Sequence, residues 1–309
     1  MIAFVVVEYK NAKKTISYIK HLNEKVNEHT VVAIVDNSED VTNTEEIANA
    51  FQFVSAHEVD DYEYLRLKFD KLDILLFEMN ENLGYARGNN WGIEKLRKIM
   101  DLEFVIVSNN DIRIENEFLD LNVFRNIFRK YDRVAVIGPY IIGNDGKKQS
   151  PCKKVSFMKR WIVPNILYPV DRLLGKDVFT DLIQNASTGD VYRVQGSFMA
   201  IDLEAFSTVG GFDDNTFLYC EESILAEKLA KIEKGMYYTD EIKLLHDHDQ
   251  TIGNFYKLED KLKLRYKSES YYYKQYLNLS TAEEFIGNIS LRFYLTKLRL
   301  IKGIRKWKT

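Results

Sequence analysis

Three stretches of the sequence hold carboxylates and imidazoles at spacings that chemistry could use. Asn109-Asn110-Asp111 closes the apolar run Phe104–Val107. A carboxylate flanked by amides at a strand end can hold a hard divalent cation, and that cation can hold a diphosphate. A turn is the plain alternative, because Asn and Asp are favoured there. Glu221-Glu222 opens a helical pattern that runs to Lys234. Paired acids in a first helical turn suit the macrodipole, and the same place suits a general base beside a cation or a sugar. In Leu244-Leu-His246-Asp-His248-Asp249, strand alternation would turn both histidines to one side, a pair suited to metal or phosphate. Asp36, after the apolar run Thr30–Val35, could bond a ribose hydroxyl or a base imide, or simply close a turn. Between Asn80 and Ile93 lie Asn82, Gly84, Arg87, Gly88, Asn89 and Asn90. Glycines and amides ahead of a helix N-terminus make an anion-receptive turn, with Arg87 as a charge partner. The spacing is neither a dinucleotide fingerprint nor a phosphate-binding P-loop.

These groups need a scaffold, and the hydrophobic patterning predicts one. Ile2–Val7, a helical repeat over Asn11–Leu22, and Thr30–Val35 make strand, helix, strand, the start of a doubly wound α/β unit. Right-handed crossover sets the two strands parallel, with their polar tips on one edge. Phe104–Val107 reads as a strand covered on both faces, and in open α/β sheets ligands bind beyond the carboxyl ends of such strands. Further strands are expected at Ile74–Phe77 and Val134–Ile137, with helices over Ile93–Met100 and Phe118–Tyr131; order returns at Val191 and continues through Leu203–Val209 to Gly210-Gly211. Residues 40–70 show no strong period and predict a helix at Thr44–Phe51, then an exposed connection through Asp60-Asp61. Prolines and glycines between 143 and 190 mark an insertion or lid, with Trp161 and Tyr168 as candidate contacts. Residues 255–309 form a basic helical extension. Its last segment, Ile289–Trp307, intersperses arginines and lysines with apolar residues and has no acid after Glu284. Such a helix can lie on an anionic membrane surface, on a partner, or against its own domain.

Composition sets outer bounds. A chain of 309 residues, 46% hydrophobic and 29% charged, has the profile of a soluble globular protein. A net charge of -3 argues against a general nucleic-acid binder. Two cysteines, Cys152 and Cys220, support neither a disulfide framework nor a thiolate zinc site. The opening Ile2–Val7 is too short for a signal h-region and no apolar run reaches membrane-span length, so the expected location is cytoplasmic.

Taken together, the motifs resemble those of the family 2 glycosyltransferases of GT-A fold, notably the rhamnosyltransferase-like bacterial enzymes that build capsule, O-antigen and cell-wall polysaccharides. Five stretches match in order from Ile2 to about Thr251: Asp36-Asn37; Asn82 to Asn90; Asn109-Asn-Asp111; Gly196-Ser197 with Gly210-Gly-Phe-Asp213 and Tyr219-Cys-Glu-Glu222; and His246-Asp-His248. The resemblance implies a Rossmann-like, doubly wound mixed sheet flanked by helices over residues 1–254. It also implies an inverting transfer from a UDP- or dTDP-sugar to a hydroxyl of a lipid-linked glycan. Mn²⁺ or Mg²⁺ would be held by Asp111 with His246 or His248. Glu222, seconded by Glu221, would be the base. Asp36, the Asn82–Asn90 loop with Arg87, Asn109, Asn110, Gly196 and Ser197 would hold the donor. A peripheral contact at the inner membrane face through the basic tail, and a homo-oligomer, are compatible with it. Asn109 stands where the family's metal motif has a first Asp, Glu221-Glu222 replaces a Glu-Asp pair, Ile224 replaces a frequent Asp, and Glu8 precedes Tyr9 where Thr is common. Asn109 and Ile224 favour the alternative of a non-catalytic nucleotide-sugar or partner-binding module. A nucleotidyltransferase would want a basic glycine-rich loop after the first strand, and Glu8–Asn11 does not supply one.

Overall fold

The buried run Ile2–Glu8 (β1) is the middle of the parallel part of one long sheet. The computed structural model describes residues 1–163, 181–247 and 258–306. From β1 the chain passes through helix α1 (Ala12–Lys25) to β2 (Thr30–Asp36), which pairs parallel with β1 in the register Val5↔Ala33. Asn11 caps α1 by accepting a hydrogen bond from Lys14 N. Helix α2 (Val41–Asn49) leads to a hairpin, β3 (Gln52–Val59) and β4 (Tyr62–Phe69), and then to β5 (Leu72–Glu78), parallel to β2. Helix α3 (Gly84–Ile99) precedes β6 (Phe104–Ser108), parallel to β1 with Val5↔Val107. The short β7 (Ile112–Ile114), helix α4 (Leu121–Lys130) and β8 (Val134–Gly143) follow. A π-helical turn at Met158–Ile162 comes before β9 (Gly189–Val191) and β10 (Phe198–Ile201). Helices α5 (Leu203–Thr208) and α6 (Glu221–Ala230), strand β11 (Gly235–His246), and helices α7 (Leu258–Tyr276) and α8 (Thr281–Lys306) complete the described chain.

The strand order is β3-β4-β5-β2-β1-β6-β10-β8-β11-β7, with β9 on β11. β10 runs antiparallel between β6 and β8, which makes the sheet mixed, as expected. One face is sealed by α1, α2 and α4 around Phe4, Ile19, Ile34 and Phe124; the other by α3, α5 and α6 around Val5, Leu96, Phe212 and Leu225. Each such fully buried side chain contributes about 1.5–3 kcal/mol. That two-sided cover is why β1, β2 and β6 read as unbroken apolar runs. A third cluster joins Phe157 and Trp161 of the π-helical turn to Tyr266, Tyr272 and Tyr273 of α7.

Two expectations change. The stretch read as irregular beyond Phe51 is the hairpin β3–β4, whose turn sits at Asp60-Asp61, both with positive φ, as a type I′ turn requires. It is an edge hairpin, exposed along most of β3, so charges stand where a buried strand would show apolar alternation. The segment read as a loop before a helix at Ile93 is already helical from Gly84. Of the expected lid, residues 143–163 and 181–190 are described and include Trp161, while Tyr168 lies outside the described residues.

Candidate active site

The register of the sheet assembles the first half of the site. The backbone N–H of Asn109 donates to Ser197 O (2.9 Å), extending the β6–β10 pairing past the strand end and bringing Gly196-Ser197 beside the β6 tip. On the other side His246, the last residue of β11, pairs with Ile112. That register sets its Nε2 3.1 Å from Oδ1 of Asp111. Nδ1 of His246 lies 2.8 Å from Oε1 of Gln149, an amide oxygen that can only accept. That contact occupies Nδ1 and leaves Nε2 as the ring nitrogen presented to Asp111. Lys14 Nζ stands 3.8 Å from the other Asp111 oxygen.

Beneath this tip lies a buried polar cluster. Asn110 Nδ2 donates to Glu8 Oε2 and to Thr15 Oγ1, both at 2.8 Å, while Thr15 Oγ1 and the Asn11 N–H also donate to the Glu8 carboxyl. Burial pushes the Glu8 carboxyl up, against the pull of those donors. Asn110 thus ties the Asp111 tip to β1 and α1. The unusual Glu8 is the group it holds, a role that motif matching did not reveal.

The second half comes from α6. Glu221 and Glu222 occupy its first turn, preceded by Tyr219 and Cys220, which both have positive φ. Glu222 Oε1 accepts from Gly196 N at 2.8 Å. Glycine at 196 keeps that approach open, since a Cβ there would stand 2.5 Å from the same carboxylate oxygen and displace it. Tyr85, at the start of α3, donates its hydroxyl to Gly196 O and so braces the same loop. Glu221 is buried, and burial, then the neighbouring Glu222, push its carboxyl up to about 8. Among the described residues its Oε1 accepts no hydrogen bond, and the same is true of Ser197 Oγ and Asn37 Oδ1. Buried polar atoms without partners inside a cavity are free to meet a ligand.

All three of these residues line one cavity of about 640 Å³, together with Asn82, Gly84, Asn109, Asn110, Asp111, Gly196, Glu222 and His246. The sequence-predicted groups outside its lining have structural duties. Asp36 is 1% exposed and accepts from Ser38 N (3.0 Å), Asn43 Nδ2 (2.9 Å) and Thr44 Oγ1 (2.8 Å), so it closes the β2 tip against α2. Its neighbour Asn37 reaches the cavity in its place. Arg87 points outward to Glu81 at 2.9 Å. Asn89 donates to Tyr85 O within its own helix (2.9 Å). Asn90 accepts from Phe212 N and donates to Phe212 O, each at 2.9 Å, pinning the Gly210-Gly211 turn to α3. The turn around Gly84 is a tight entry into α3. Gly84 has φ +73°, and a Cβ there would meet Phe217 at 2.7 Å. His248 lies outside the described residues. Sequence reasoning named Asn37 only within the matched Asp36-Asn37 pair and missed Tyr85, Gln149 and the α7 residues at the cavity wall. Asn37 beside Asp36 was the one legible hint.

A divalent cation can be tested against these donors. Among the described residues no group of three His, Cys, Asp or Glu side chains converges. Asp111 and His246 Nε2, with the other ring nitrogen tied to Gln149, are the two side chains here that would hold such a cation.

No protein-family model matches the chain. Over 190 residues the chain is 24% identical to the N-acetylglucosaminyl-diphospho-decaprenol L-rhamnosyltransferase of Mycobacterium tuberculosis, strains CDC 1551 and H37Rv alike, covering 59% of this chain and 61% of that one. It thus spans about three-fifths of the length of these relatives. Among solved structures, the mannosyltransferase PcManGT from Pyrobaculum calidifontis in complex with GDP-Man and Mn²⁺ aligns with a TM-score of 0.54 at 14% identity, over 98% of this chain and 75% of that one. TarS of S. aureus (residues 1–349) aligns with a TM-score of 0.50 at 13% identity, over 95% and 70%. GalNAc-T7 with UDP, GalNAc and Mn²⁺ aligns with a TM-score of 0.50 at 11% identity, over 80% and 44%. The fold is that of GT-A glycosyltransferases, as the motifs led one to expect.

Proposed function

We propose that the protein is an inverting glycosyltransferase that moves a sugar from a UDP- or dTDP-sugar to a hydroxyl of a lipid-linked glycan in surface polysaccharide synthesis. The observation that carries this reading is one cavity with a carboxylate pair at a helix N-terminus on one side and Asp111 with His246 at a strand tip on the other. Glu222 takes the proton of the acceptor hydroxyl. The oxygen forms its bond to the anomeric carbon as the bond to the diphosphate breaks on the far side, with inversion. Gly196 N–H fixes the Glu222 carboxylate for this task. With its carboxyl raised to about 8, Glu221 keeps its proton near neutral pH, so the two acids in that turn do not repel one another as a charged pair would. Asn37 and Ser197 offer unsatisfied oxygens to the nucleoside and the donor sugar. When bound, Mn²⁺ or Mg²⁺ on Asp111 and His246 would neutralise charge building on the leaving diphosphate. The Mn²⁺ in the mannosyltransferase and GalNAc-T7 structures is consistent with that choice.

The exposed face of α8 supports a membrane-surface contact. Phe285, Ile289, Phe293 and Leu300 stand on it at 66%, 48%, 57% and 64% exposure, with Arg292 between them, while Ser290 and Leu295 turn inward. Among the described residues no helix is long and apolar enough to cross a membrane, so α8 would lie on one.

The test is turnover of a panel of UDP- and dTDP-sugars with Mn²⁺ in the presence of glycan acceptors. Turnover that vanishes in Glu222→Gln while nucleotide binding persists supports the reading; equal turnover by the variant removes Glu222 from the chemistry.

A further inference from the structure

The Asp111 carboxylate already has a cation beside it. Lys14, in the first turn of α1, stands with Nζ 3.8 Å from Oδ2, and the two side chains are only 15% and 8% exposed. The ammonium is steadied from a second side. It donates to Asp247 O at 3.3 Å, and Asp247 N donates in turn to Asp111 O at 2.9 Å. The Asp247 carboxylate itself takes a hydrogen bond from Asn144 Nδ2. The start of α1 is fixed as well, since Asn11 caps it and Thr15, the residue after Lys14, donates to the buried Glu8. Lys14 is thus brought to Asp111 by the seating of α1 on the sheet.

This contact bears on how a divalent ion can enter. Asp111 is the one acid of Asn109-Asn110-Asp111, and its other neighbour is the His246 imidazole, 3.1 Å from Oδ1. One carboxylate facing one ammonium offers a divalent ion little net attraction, and the ammonium repels the ion directly at short range in a partly dry place. Asp111 and His246 line the cavity and Lys14 does not, so Lys14 acts on the ion through Asp111 as a positioning residue. A nucleoside diphosphate changes the balance. Its oxygens bring the negative charge that the side chains lack and are ligands a hard cation favours.

We infer that Lys14 is the resident counter-ion of Asp111 and makes cation binding conditional on the donor: a divalent ion binds poorly alone and enters together with the diphosphate. The inference rests on the cation placed at Asp111 and His246 in the proposed function, and adds the order in which that site fills.

Titration of Mn²⁺ into the full chain without nucleotide, with the free ion followed by electron paramagnetic resonance, tests it. Lys14→Met keeps the aliphatic stem and removes the charge, and should bind Mn²⁺ about tenfold more tightly than wild type, the equivalent of about 1.4 kcal/mol. Lys14→Arg keeps the charge and should stay at the wild-type affinity. Asp111→Asn added to Lys14→Met should cancel the gain. An unchanged affinity in Lys14→Met overturns the inference, and so does a gain shared by Lys14→Arg or one that survives Asp111→Asn. Calorimetry with UDP and with dTDP then reads the coupling. Ion and nucleotide tighten each other by one common factor, which should be larger in wild type than in Lys14→Met; equal factors overturn the conditional entry. Lys14-dependent Mn²⁺ affinity in a protein that turns over no donor sugar keeps the inference and removes the transferase reading. Turnover with a Mn²⁺ affinity indifferent to Lys14 does the reverse.

Discussion

At the scale of single residues, the cavity sets two carboxyls of one helical turn in different environments. Glu222 is held by a backbone N–H at the cavity, whereas Glu221 is buried with one oxygen unbonded. Glu222→Gln keeps the size and the hydrogen bond but cannot take a proton, so kcat is expected to fall by about 10²–10⁴, with UDP or dTDP affinity unchanged; steady-state kinetics beside nucleotide calorimetry checks both. For Glu221 the prediction concerns stability. Its carboxyl is pushed from the usual 4.5 up to about 8 in the folded protein, mainly by burial. The unfolded chain gives up that proton at lower pH, so the stability this group contributes is complete below about 4.5 and is lost as pH rises to about 8. Glu221→Gln removes the loss. Its melting temperature should gain on the wild type as pH goes from 5 to 8.5, at about 2–4 °C per kcal/mol. Parallel melting curves across that range would reject the burial argument. Asp36 shows what residue type alone leaves open. A carboxylate after a strand invites a nucleoside, yet three donors from Ser38, Asn43 and Thr44 consume it, and only packing reveals that Asn37 is the one left open.

At the scale of elements, α7 is part of the site's architecture. Tyr271 (3.1 Å) and Tyr276 both donate to Oδ2 of Asp213, in the turn after Gly210-Gly211 that Asn90 pins to α3, and Ser268 Oγ donates to Leu218 O at 2.7 Å. A chain of side-chain bonds thus runs from α3 through that turn to the helix that walls the cavity. Tyr271→Phe and Tyr276→Phe should each cost about 1 kcal/mol. Because they share one acceptor oxygen, the double variant should depart from additivity by at least 0.5 kcal/mol, roughly the threshold for coupled neighbours; denaturant unfolding of the four proteins measures this. The same elements show what was legible. The strands β1, β2, β5, β6 and β8 and the Asp111 tip could be read because burial on both faces writes an apolar run into the sequence. The hairpin β3–β4 lies at the sheet edge with little cover and left no such record. The pairing of His246 with Ile112, which delivers its imidazole to Asp111, joins residues 134 positions apart and is a property of the register.

At the scale of the whole molecule, α8 poses a question of placement. One stripe of this helix packs inward through Gly287, where a Cβ would stand 2.5 Å from Phe157, and through Ser290, which donates to Trp161 O. The opposite stripe shows Phe285, Ile289, Phe293 and Leu300 to solvent beside Arg292, and the sequence beyond Glu284 has no acid. A self-association surface of that apolar content would not need the positive charge of Arg292 beside it. An anionic bilayer rewards both, through apolar insertion and about 1 kcal/mol per basic residue near the surface. Since α8 packs against the π-helical turn and α7, docking it would hold the α7 wall of the cavity close to the lipid surface. The expected result is co-sedimentation with vesicles containing phosphatidylglycerol, weak binding to neutral vesicles, and release at high salt. Ile289→Glu with Phe293→Glu, both at exposed positions and so compatible with an intact fold, should abolish the binding. Vesicle binding that survives the double substitution places the membrane contact elsewhere. A wild-type dimer that the substitution converts to monomer, with no vesicle binding in either form, makes the stripe an interface between copies.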